Sequence, residues 1–269
     1  MENSIFLSKF AGIIVLGNYA NYTLVSNCLQ RCIKLVFNSV TSSIGNLNAS
    51  GGDSKRQVEV FNVIKFIGFV INSICAVGIF AVINPFVTWW IGEKYLLSQA
   101  FVLIFALNFY LQGMQKITNI YRNALGLFQQ AKYRPVAGAI INIVVSLLLV
   151  RPYGITGVLL GTFISGLLTY TWFDPLIIFR YGFHQSPKQY FITSLKYVAI
   201  TCICGATASY LADMIAPGGL AGVLLSAVIS VTITAIGIIV GCAKSKEFKE
   251  TLKYVNIIIK KFTGGSRNG

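Results

Sequence analysis

Acidic residues are scarce in this chain: 8 Asp and Glu stand against 22 Lys and Arg, and His184 is the single histidine in 269 residues. That shortage excludes several chemistries together. The sequence offers no carboxylate pair for general acid–base work, no Ser/His/Asp arrangement and no Gly-rich phosphate loop, so no catalytic residue is assigned and no enzyme is expected. The six cysteines, at 28, 32, 75, 202, 204 and 242, have no His or carboxylate nearby in sequence. They read as small thiols of apolar spans, and neither a metal nor a cofactor is expected. Charge of either sign is rare at 11% of residues, whereas soluble domains carry about 25%. The start of the chain lacks a basic n-region and a clean apolar h-region, so no cleavable signal peptide is expected. No polar stretch is long enough for a soluble domain.

Long apolar runs take the place of these features. Hydrophobic residues make up 55% of the chain and its mean hydropathy is +0.70. A membrane helix needs about 20 apolar residues. The sequence predicts an all-α integral membrane protein of about seven transmembrane helices, at roughly 10–36, 60–83, 96–120, 134–150, 153–179, 189–212 and 217–242. The fourth is short, with Arg134 and Arg151 placed to snorkel from its two ends. Basic residues crowd into every second gap: counted from the C-terminus, Lys244–Arg267, Arg180–Lys188, Arg122–Arg134 and Lys55–Arg56 hold 7, 2, 3 and 2. Lys/Arg bias in short loops sets orientation, so this side is expected to be cytoplasmic, with the C-terminus inside and the N-terminus outside. A net charge of +14 would point to nucleic acid in a soluble protein. Topology and attraction to anionic membrane lipid explain it here, so no nucleic acid partner is expected.

Local signals refine the spans. In Asn84-Pro-Phe-Val-Thr-Trp-Trp-Ile-Gly-Glu-Lys-Tyr95, Pro85 is expected to end the second helix, and Trp89, Trp90 and Tyr95 read as an outer aromatic belt. The first helix is expected to run on to about Asn46, before the stop signal at 48–52. In 244–262, apolar Phe248, Leu252, Val255 and Ile259 oppose many Lys, which predicts a basic amphipathic tail lying on the cytoplasmic leaflet.

Polar stripes mark particular spans. Thr23, Asn27, Arg31, Lys34, Asn38 and Thr41 follow one another at helical spacing and share one face of the first helix. The third span repeats the device with Asn108, Gln112, Gln115, Lys116, Asn119 and Arg122, and the fifth carries Thr162, Ser165 and Thr169. A cation near the bilayer centre costs about 2.5–3.5 kcal/mol on insertion scales, so these stripes require water or an anion unless the long side chains snorkel. Cationic stripes suit an anionic ligand. Asp174, in Trp172-Phe-Asp-Pro175, has three readings: a pair with Arg180, a cap at a helix break before Pro175, or a gate.

Several motifs resemble one family. Leu7-Ser-Lys-Phe-Ala-Gly-Ile-Ile-Val-Leu-Gly-Asn-Tyr-Ala-Asn-Tyr22 resembles the junction of the seventh and eighth helices of Wzx-type polysaccharide flippases, in the polysaccharide-transport branch of the MATE/MOP flippase superfamily. Phe37-Asn-Ser-Val-Thr-Ser-Ser-Ile-Gly-Asn-Leu-Asn48 resembles the end of the eighth helix, and the Asn84–Tyr95 segment the outer loop after the ninth. Leu107-Asn-Phe-Tyr-Leu-Gln-Gly-Met114, Asn123-Ala-Leu-Gly-Leu-Phe128 and Tyr181-Gly-Phe183 fit in order and spacing. The resemblance implies helices 8–14 of a fourteen-helix flippase. Residues 1–183 then form part of its C-terminal lobe, 184–243 its two terminal helices and 244–269 a cytoplasmic tail. It also implies a bacterial cytoplasmic membrane, a missing N-terminal half as partner, and a polyprenyl-pyrophosphate-linked saccharide moved to the outer leaflet.

On that reading Arg31, Lys34, Lys116 and Arg122 are the candidate pyrophosphate-binding residues, with Asn27, Asn38, Asn108, Gln112 and Asn119 lining the cavity. The motifs carrying the resemblance do not include Arg31 or Lys34. The alternatives are a MATE-like small-molecule exporter, which would want acidic residues in its cavity, a membrane polymerase or ligase of the same pathway, which would want a large outer loop, and a truncated remnant without function.

Overall fold

A computed structural model describes residues 13–49 and 54–254 of the chain, and all of its regular structure there is helical. Helix α1 spans Ile13–Ala49, α2 Ser54–Ile91, α3 Gln99–Ala124, α4 Arg134–Leu168, α5 Tyr170–Ile177, α6 Lys188–Ile215 and α7 Gly219–Cys242. A π-helical turn, Ile178–Gly182, extends α5, and 246–254 is helical again. Among the described residues, five stretches of helix are long and apolar enough to cross a membrane: α2, α3, the run from Gln129 to Gly182, α6 and α7.

The run from Gln129 to Gly182 is bent back on itself. Gly154 inside α4 has φ 55° and ψ −133°, a left-handed conformation open to glycine at no steric cost. The two arms of α4 lie antiparallel beyond it. Asn142 Nδ2 donates to Thr162 Oγ1 at 3.4 Å, and Ser146 Oγ to the Val158 carbonyl at 3.4 Å. A Cβ at Gly157 would run into the Leu149 carbonyl, and one at Gly161 into Ser146, so these small residues set how closely the arms approach.

Helix α2 is the hub, packed against α1, α3, α6 and α7. At its N-terminal end Phe61 sits 4.8 Å from Tyr121, 5.6 Å from Phe179 and 6.0 Å from Tyr190, centroid to centroid. At its other end Tyr22 of α1 donates to Asn84 Oδ1 at 2.8 Å and accepts from the Leu97 amide at 3.0 Å. The Phe61 cluster lies beside Lys55, Arg56, Arg122, Arg180 and Lys188 in sequence. Phe248 of the 246–254 segment packs on Phe66 nearby, at 5.9 Å. The described residues of all four cation-rich gaps therefore gather at one end of the bundle.

Four local expectations need correction. Pro85 does not end its helix: α2 runs through it to Ile91. The one amide that proline removes is offset by neighbours that hold the next turn. Val87 is fully buried, and Asn84 is bonded by Tyr22 and Gln99. Pro175 likewise lies inside α5, so Asp174 caps no helix break there. Asp174 pairs with Arg122 and Arg134 and leaves Arg180 exposed, and Arg134 is buried in that pair rather than snorkelling. In the tail, Phe248 faces the bundle, Leu252 is exposed, and Val255 and Ile259 fall outside the described residues.

Candidate functional site

Helix α1 has two contrasting faces. Asn18, Tyr22, Ser26, Ile33 and Phe37 are buried at steps of 4, 4, 7 and 4, which keeps them on the side against α2 and α3. Asn27, Arg31 and Lys34 point away and are exposed. Asn38 is on the same helix, but its side chain is outside the described residues. Across from α1, Lys116 of α3 donates to Gln30 Oε1 at 2.9 Å and lies within electrostatic reach of Lys34, which repels it. Among the described residues no carboxylate pairs with Arg31, Lys34 or Lys116. Lys34 and Lys116 thus lie near one another where α1 meets α3, and Arg31 is exposed on the outward face of α1.

Arg122 belongs elsewhere. Its Nη1 donates to Asp174 Oδ1 at 3.4 Å, its Nη2 donates to Asn123 Oδ1 at 2.8 Å and to Asn119 Oδ1, and Arg134 Nη1 donates to Asp174 Oδ2. The Asp174 side chain is 1% exposed and those of Arg122 and Arg134 are 10% and 5%. Arg134 also lies 4.3 Å from the Tyr170 ring centre. Two guanidiniums and one carboxylate leave this buried triad one positive charge in excess. The Nε atoms of both arginines have no partner among the described residues. Asn119 is therefore a prop of the triad, apart from the exposed cations.

A cavity of about 520 Å³ lies between α3 and the two arms of α4. Asn108, Gln112 and Gln115 of α3 face Asn142 and Ser146 of the first arm and Thr162 and Ser165 of the second. Asn108 Nδ2 donates to the carbonyls of Ile104 and Leu159, both at 3.0 Å, while its buried Oδ1 has no partner. Gln115 Nε2 donates to the Gly166 carbonyl and to Thr171 Oγ1, both at 3.1 Å. The polar lines of the third and fifth spans were legible in sequence, but their meeting was not: it depends on the fold-back at Gly154.

Lys65 is a buried cation that the polar stripes did not reveal. It is 2% exposed in the first third of α2, its Nζ donating to the Tyr190 carbonyl at 2.9 Å and to Thr193 Oγ1 at 2.7 Å. It also sits 3.7 Å from the Tyr190 ring centre. A signal existed, because Lys65 and Lys196 are cations inside the expected spans 60–83 and 189–212 that belong to no polar stripe.

The fold and these sites define an all-helical, multi-pass membrane protein. The chain matches no family model, no curated protein and no solved structure.

Proposed function

We propose that the chain is the C-terminal lobe of a transporter that flips a polyprenyl-pyrophosphate-linked saccharide across a bacterial cytoplasmic membrane. The observation that carries this reading is the cationic surface of α1 and α3, where the exposed Arg31, Lys34 and Lys116 have no carboxylate partner among the described residues. Cations on membrane helices are costly unless they face water or an anion. A pyrophosphate supplies several charge-assisted hydrogen bonds to such a cluster while its lipid tail stays in the bilayer. The resemblance of the motifs to Wzx-type flippases of the MATE/MOP superfamily points to the same substrate.

In this reading α1 and the two arms of α4 each cross the membrane, for seven passes, and correspond to helices eight to fourteen. The end carrying the cation-rich gaps faces the cytoplasm, as the positive-inside rule requires. The exposed polar face of α1 meets a second lobe across a water-filled cavity. A small-cation exporter fits less well, because the buried acid Asp174 is already occupied by two arginines. The protein performs no covalent step.

The test is translocation in proteoliposomes carrying both lobes, with a fluorescent lipid-linked saccharide scored by protection from an external glycosidase. The double change Arg31→Gln and Lys34→Gln is expected to slow translocation strongly. An unchanged rate removes Arg31 and Lys34 from the mechanism.

A further inference from the structure

The cavity between α3 and the arms of α4 differs in chemistry from the exposed cations of α1 and Lys116. Its polar lining is uncharged: the amides of Asn108, Gln112 and Asn142 and the hydroxyls of Ser146, Thr162 and Ser165. Its volume, about 520 Å³, falls among small-molecule sites, which run from about 300 to 1,000 Å³. Between the polar groups stand apolar walls from Leu111, Ile143 and Val158, with Tyr170 at one end. One acceptor is conspicuously idle, because Asn108 Oδ1 is buried without a partner. Leaving such an atom unpaired costs about 1–3 kcal/mol, which a ligand hydroxyl or amide would relieve. Gln112 makes no hydrogen bond among the described residues and is free to serve the cavity.

We infer that this cavity is a binding site for neutral saccharide rings. Such rings match the lining in both respects: a rim of hydroxyls and amides for the polar side chains, and C–H faces for the apolar walls. Charged ligands would find no counter-ion on the lining. Gln112 lines the cavity one helical turn before Lys116, and side chains four residues apart on a helix are neighbours. The two sites are thus contiguous along α3. Resting on the proposed transport reading, the substrate divides between them, with pyrophosphate on Lys34 and Lys116 and the first sugars beyond Gln112. The lining by itself selects a neutral ligand bearing hydroxyl or amide groups.

Binding without transport separates the two claims. The full chain in phospholipid nanodiscs, free of sugar-based detergent, is titrated with the neutral disaccharide diacetylchitobiose and separately with inorganic pyrophosphate, each followed by ligand-detected NMR. Saturable disaccharide binding is expected, weakened at least about tenfold by Ala139→Phe, which fills the cavity from its lining, and by Gln112→Leu. It is expected to be unaffected by Arg31→Gln with Lys34→Gln. If Ala139→Phe does not fold, Gln112→Leu still decides, since the amide it removes holds no described neighbour. Absence of saturable disaccharide binding, or binding indifferent to the cavity variants, overturns the inference. Displacement of the disaccharide by pyrophosphate also overturns it, because the two sites would then be one. Loss of pyrophosphate binding in wild type would strike the transport reading and leave the saccharide site standing.

Discussion

Arg122 on α3 and Asp174 on α5 form a buried ion pair at 3.4 Å, 52 residues apart in sequence. Arg134 completes the triad from the start of α4, so a single carboxylate ties three helices at the cation-rich end of the bundle.

The triad should respond asymmetrically to substitution. Asp174→Asn leaves two buried guanidiniums uncompensated, and removing one partner of a buried pair costs about 3–5 kcal/mol. Arg122→Met leaves Asp174 with Arg134 and no excess charge, so a smaller loss is expected. Thermal unfolding in detergent, followed by circular dichroism, checks this. Equal losses in the two variants would mean that the charge count does not govern the site.

Lys65 gives a different contrast. Lys65→Met keeps the volume and removes a buried cation, and the Tyr190 carbonyl still accepts from the Thr193 and Ser194 hydroxyls. No loss of stability is expected, since an apolar group of similar size often replaces a buried charge without cost. Lys65→Ala opens a cavity instead and is expected to cost about 2–5 kcal/mol. Both are read from the same unfolding measurement, and a Met variant as damaged as the Ala variant would refute the account.

The hairpin within α4 rests on close backbone approach. Gly157→Ala drives a Cβ into the Leu149 carbonyl and is expected to destabilise by about 1–3 kcal/mol. At Gly78 the nearest atom to an added Cβ is Ser230 Oγ at 3.9 Å, so Gly78→Ala is expected to be neutral or stabilising by up to about 1 kcal/mol. The paired unfolding curves test whether the clash, rather than glycine loss in general, is responsible.

The tail supplies a pH dependence. Desolvation, with the nearby Glu59 and Glu247 carboxylates, raises the pKa of Glu250 above its ordinary value, outweighing Lys246 and Lys253. A carboxyl with a raised folded pKa favours the folded state while protonated, and that contribution is lost as pH rises through the folded pKa. Glu250→Gln is therefore expected to raise the Tm slightly at neutral pH, with the difference vanishing below the carboxylate range. A difference that persists in acid would rule out charge as its source.

Much of the bundle was legible along the chain. Hydropathy marked the helices, and the spacing of Lys and Arg marked one end, which the Phe61 aromatic cluster and the Phe66–Phe248 contact gather together. Pro85 misled because its local cost is small beside the burial of Val87 and the bonds to Asn84. Lys65 was overlooked because a lone cation has no periodicity. Its partners Tyr190 and Thr193 lie more than a hundred residues away, at separations of 125 and 128.

The sequence by itself determined that the chain is helical and membrane-like, and which helix faces are polar, since hydropathy and 3.6-residue spacing are properties of the chain read in order. Only the tertiary structure decided the fate of each polar group. Arg31, Lys34 and Lys116 remain exposed, Arg122 is neutralised by Asp174, and two uncharged stripes close on one cavity. The reason is physical: whether a charge is free or paired depends on contacts across 40 to 52 residues, set by a fold-back at Gly154 and by the packing of α3 against its neighbours.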